Sequence, residues 1–114
     1  MNCLISFPAS AMRVPDEELD QVAHDSHAVV RDAKEAGVWV FGGALDESAP
    51  ALLVDSSGQS AEGTYPETGP MSGGFAILHV NSHDEAVQWA ARLAQACRCA
   101  QELRMFHDDP ESLP

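Results

Sequence analysis

Five histidines, at positions 24, 27, 79, 83 and 107, are the side chains of this sequence best suited to trade protons near neutral pH. At about 100° per residue along a helix, His24 projects toward solvent, whereas His27 borders an apolar stripe, a turn from Ala23 and from Val30. An imidazole at such a boundary is expected to be partly buried, with a tuned pKa, and fit for general acid–base work. Asp46, at the end of an apolar segment, is the acid that could orient it. The plainer alternative makes His27 a boundary residue bonded to a carbonyl, and Asp46 the opening of a turn. His24 and His27, at i and i+3, could share a metal with Asp46, but no third ligand stands on their element, so no metal and no cofactor is expected. His79 alternates with Phe75 and Ile77, and could line a cleft or sit at an interface. His83 and His107 read as surface residues.

Other catalytic patterns are missing. There is no GxSxG and no GxxxxGK[ST]. Cys97 and Cys99 are separated by one residue, which on a helix turns their thiols about 200° apart and prevents a joint grip on one ion. With Cys3 they make an odd number, which favours reduced thiols over a disulfide framework. Trp39 and Trp89 are most simply core or interface aromatics.

Bulk properties narrow the field further. The 114 residues carry 18 acidic and 6 basic side chains, for a net charge of −12. Such a surface repels phosphate backbones, so no nucleic-acid partner is expected. No segment approaches the ~20 apolar residues that span a bilayer. The opening MNCLISFP reads as a strand rather than an export leader, and a cytoplasmic location follows as an expectation. The length suits one domain over residues 1–107, with 108–114 as a solvated tail.

The elements that must position these residues are readable from periodicity. Residues 2–7 suit a strand. Pro15-Asp16 starts a helix over 16–36, with small or apolar positions at 19, 22, 23, 26, 30 and 33, and Gly37 as its closing residue. VWVFGGAL, 38–45, reads as a buried strand, ALLVDSSG as a shorter one, and a brief strand is expected near Thr64 and Tyr65. GFAILHV, 74–80, is strand-like. Ser82 and Glu85 fit a capping box before a second helix that turns Ala86, Val87, Ala90, Leu93, Ala94 and Cys97 inward. QELRMF supplies the last strand. The order β-α-β-β-(β)-α-β predicts an antiparallel sheet with both helices on one face. The other face is left bare, which predicts a homodimer through sheet faces.

From Gly37 to Phe106 the chain resembles the YCII-related superfamily, in its DGPF-domain branch. Glu62-Gly63-Thr64-Tyr65 stands where that branch has D-G-P-F, and Glu67-Thr68 matches its E-T. Gly73-Gly74-Phe75 matches GGF, Ser82 to Ala86 matches the start of the second helix, Trp89 to Arg92 matches WAAR, and Glu102-Leu103-Arg104 matches E-V-R. The signature departs at Glu62, Thr64, Tyr65 and Gly69-Pro70. The resemblance implies a ferredoxin-like α+β fold that dimerises into an α/β barrel, with a cleft between sheet and helix. A His–Asp pair proposed for relatives falls on His27 and Asp46. Tyr65 and Glu67, in the signature, and His79 are the accompanying candidate binding residues. Two functions stay open: a ligand-binding or accessory interaction module, or a small enzyme using His27 with Asp46 on a small organic substrate. An exposed His27, or one beyond hydrogen-bond reach, through one water, of any acid, would defeat the enzyme reading with Asp46.

Overall fold

The computed structural model describes residues 1–114. In chain order the elements are β1 (Asn2–Phe7), α1 (Leu19–Glu35), β2 (Trp39–Ala44), β3 (Leu52–Val54), β4 (Ser60–Glu62), β5 (Gly74–His79), α2 (His83–Cys97) and β6 (Glu102–Met105). Four strands form one sheet in the order β2-β5-β1-β6, with every neighbouring pair antiparallel. Each β-α-β unit leaves a gap that a strand of the other unit fills, so the α+β architecture is ferredoxin-like. β3 and β4 stand apart as a two-stranded hairpin.

Alternation along the central strands sorts their two faces. Cys3 and Ile5 of β1 and Ala76 and Leu78 of β5 are buried, in one cluster with Val29 and Ala33 of α1 and Ala86, Ala90, Leu93 and Ala96 of α2. Both helices therefore cover the same face. Alanines dominate the α2 contribution and let that helix close on the sheet, and Trp39, Trp89 and Leu103 seal the margins. The intervening residues Leu4, Phe75 and Ile77 point to the opposite face, where Phe41, paired with Ile77, is 68% exposed. With one side of the sheet uncovered, the molecule is a slab of 42 × 41 × 20 Å.

Local signals explain most boundaries and several differences. Asp16–Glu18 form a 3-10 turn and α1 begins only at Leu19, after a Glu18 cap that makes no side-chain bond. Its buried stripe is Val22, Val29 and Ala33, so the helix is rotated from the expected face and Ala23 is exposed. Gly37, at φ +76°, ends it. On α2, Ser82 Oγ accepts the Glu85 N–H at 3.1 Å, while Glu85 Oε2 reaches the N–H of Asn81 at 2.9 Å, one residue before the usual capping-box partner. Val87, expected inside, is 46% exposed. The additional strand lies at Ser60–Glu62 rather than at Thr64–Tyr65, because β3 and β4 close around a turn in which the Asp55 carboxylate accepts the N–H groups of Ser57 and Gln59, each at 3.0 Å. Tyr65 opens a turn instead, its carbonyl accepting the N–H of Thr68 at 3.2 Å and of Gly69 at 3.1 Å. No helix is long and apolar enough to cross a membrane.

Candidate active or binding cleft

Rotation of α1 brings Ser26, His27, Val30 and Lys34 to the edge of the sheet rather than over its centre. There they line a cleft of about 450 Å³ between the helices and the sheet. Its inner surface is apolar, supplied by Ile5, Phe7, Trp39 and Leu93, with Cys97 and Gln101 also lining it. Trp39 has a fixed place there because its neighbour is Gly42: a Cβ at residue 42 would come within 2.7 Å of the indole Cζ2. Gln101 is held by its side-chain N–H on the Cys99 carbonyl at 3.2 Å.

Polar chemistry is confined to the lip. His27 is exposed, not partly buried as expected, because the stripe that faces the core runs through Val22 and Val29 instead. Lys34, two turns further on, is also exposed and is the chain's one lysine. No carboxylate lines the cleft. Burial pushes the Cys97 thiol above its ordinary range and the neighbouring Cys99 adds to the effect, while Arg98 pulls it back, so the buried sulfur is kept as a thiol and not as a nucleophilic thiolate.

Asp46 lies elsewhere. It borders an open bay of about 1000 Å³ between the β2–β3 connection and the segment from Glu62 to Ser72. Its carboxylate accepts both the Ser48 hydroxyl, at 2.6 Å, and the Ser48 N–H, at 2.9 Å, which hold its pKa below the ordinary carboxylate value. The structure does not bring His27 and Asp46 together: they line different depressions, and no hydrogen bond or ion pair joins them. No cluster of three or more His, Cys, Asp or Glu side chains is arranged to hold a metal ion.

The sequence matches the YCII-related domain over residues 3–98. The chain belongs to the YCII-related domain family. A solved structure with the same architecture is that of 5-chloro-2-hydroxyhydroquinone dehydrochlorinase from Burkholderia phenoliruptrix, in complex with 2,5-dihydroxybenzoquinone. The two share 20% identity with a TM-score of 0.50, over 97% of this chain and 98% of that one. No curated protein sequence matches the chain.

Within this YCII-related domain the other candidate residues are spread over separate surfaces. Glu67 borders a hollow of about 470 Å³ on the uncovered face of the sheet, opposite Leu4, Phe75 and Arg104. Tyr65 is 67% exposed and sits against the hairpin beside Leu53 and Val54. His79 is exposed on the uncovered face, with Nδ1 donating to Asn2 Oδ1 at 2.9 Å. Of the expected residues only His27 reaches the helix-side cleft. Sequence reasoning missed Lys34, Trp39 and Gln101 as its companions. The signal for Lys34 was present, since 27, 30 and 34 repeat at i, i+3 and i+7 along one helix edge.

Proposed function

We propose that this YCII-related domain, of the DGPF branch, is a homodimer that binds a small organic molecule in the cleft beside His27. One observation carries this reading: an apolar cleft of ligand size with its basic groups, His27 and Lys34, at the lip. The apolar wall removes a ligand's ring or chain from water, and the lip groups recognise its polar end. Dimerisation is supported by the uncovered sheet face, where Leu4, Phe41, Phe75 and Ile77 have no cover. Two such faces packed together would close an α/β barrel and bury each copy's Phe41.

Sedimentation at micromolar concentration is expected to give twice the 12.2 kDa chain mass, and Phe41→Asp is expected to halve it. A wild-type chain that sediments at 12.2 kDa disproves the dimer. Native mass spectrometry of the purified protein reads the ligand directly. A retained small molecule that is lost in Trp39→Ala but kept in Trp89→Ala supports the cleft; equal retention in both variants refutes it.

Exposure of His27, with no carboxylate bonded to it, counts against the paired enzyme; the second reading that remains is proton transfer by His27 alone on a small organic substrate at the cleft mouth. The structural neighbour's name and its bound quinone make an elimination the reaction to assay first. Pairing with Asp46 would require the β2–β3 turn to release that carboxylate from Ser48, so His27 acts alone in this reading. His27→Gln should abolish turnover while leaving the urea midpoint unchanged. Turnover that survives His27→Gln excludes the enzyme.

A further inference from the structure

The charge pattern of the cleft runs against that of the chain. Acidic residues outnumber basic ones 18 to 6, yet none of the 18 lines this cleft, while the one lysine does. Of the five arginines, Arg92 pairs with Asp32, Arg98 with Asp25 and Arg104 with Glu102, while Arg13 and Arg31 are unpaired but do not line the cleft. The Lys34 side chain enters no ion pair, unlike the three paired arginines, so its ammonium is free to meet a ligand. From it we infer that the cleft selects a molecule with one aromatic ring and one anionic oxygen group, carboxylate or phenolate, held with the ring inside and the charge at Lys34. The inference rests on the reading of the cleft as a ligand site.

Three features carry it. Trp39 and Phe7 present aromatic surface beside the cleft, and Gly42 fixes the indole's place against the strand. A volume of about 450 Å³ has ample room for a ring with its substituents. The lip supplies donors rather than acceptors, with His27 and Lys34 about 10 Å apart along the helix axis, on either side of Val30. The chain's overall negative charge does not cancel this local preference. Exposed charges beyond roughly 8–10 Å are screened at physiological salt, whereas an ammonium in contact with the ligand at an apolar lip is not.

Calorimetric titration with benzoate and its 2-, 3- and 4-hydroxy derivatives, each against the corresponding amide, separates charge from shape. At least one acid is expected to bind about tenfold or more tightly than its amide. Lys34→Gln should abolish that difference and leave amide affinity unchanged, because the amide makes no charge contact. The two indole N–H resonances locate binding, with Trp39 expected to shift and Trp89 to stay. Equal affinity for acid and amide, or a preference that survives Lys34→Gln, overturns the inference while the cleft remains a ligand site. If no compound of either series moves the Trp39 resonance, both the inference and the reading beneath it fall.

Discussion

Gly73→Ala should be one of the costliest single-methyl substitutions in this chain. Gly73 adopts φ +84°, and a Cβ there would lie 2.7 Å from the amide nitrogen of Ala9 and 2.8 Å from the carbonyl carbon of Pro8. Both obstacles are backbone, so no side-chain rotation relieves them. The left-handed conformation alone costs alanine about 1–2 kcal/mol, less roughly 0.4–1 kcal/mol for the reduced freedom of the unfolded chain. Forcing the two segments apart adds about 1–3 kcal/mol, as overpacking does. It also endangers the bond from the Leu45 N–H to the Gly73 carbonyl, 3.0 Å long, which ties the signature segment to the end of β2. The sum is about 1–4.6 kcal/mol, centred near 3. Gly58→Ala is the matched control, since Gly58 has φ +88° and nothing within 4 Å of its Cβ position. It should carry the conformational cost alone, about 0–1.6 kcal/mol. Urea denaturation followed by tryptophan fluorescence reads both variants. Equal destabilisation by the two substitutions would refute the claim that backbone contact, rather than φ, makes Gly73 irreplaceable.

Gly42→Ala should swing the Trp39 indole out of its place, changing the near-UV circular dichroism and weakening any cleft ligand; an unchanged spectrum contradicts the packing described. Ser82→Ala should cost about 1 kcal/mol through loss of the bond to the Glu85 N–H, measurable as a lower urea midpoint. Burial pushes the Cys3 and Cys97 thiols above their ordinary 9.0, so above that pH the folded chain holds protons that the unfolded chain has lost. That contribution is complete below pH 9.0 and declines as pH rises through the folded values, so the urea midpoint should be lower at pH 10 than at pH 8. A Cys3→Ala, Cys97→Ala double variant, less stable at pH 8, should show a smaller decline; an equal decline assigns the effect to other groups.

The order of elements was legible because each carries its own periodicity and punctuation. Gly37 and Ser82 mark helix ends by chemistry that needs no tertiary partner. β4 was not legible at its true place, because Ser60-Ala61-Glu62 has no strand preference of its own and extends only to pair with β3. The orientation of α1 turned on whether Ala23 or Val29 faces the sheet, a choice made by packing, and it decides that His27 sits on the lip instead of partly inside. Proximity of His27 to Asp46 could not be read from spacing either. It depends on the path of the β2–β3 connection, and Ser48, two residues on, captures the carboxylate locally. The family resemblance found the fold, but its signature residues Tyr65 and Glu67 lie outside the helix-side cleft.

A chain with one lysine has one ε-amine. Side-chain amine chemistry therefore has a single address on this protein, beside the cleft. An acyl group coupled at Lys34 would remove that ammonium and occupy the entrance beside Trp39, without adding a thiol to the three already present. One covalent step thus yields an obstructed form of the molecule.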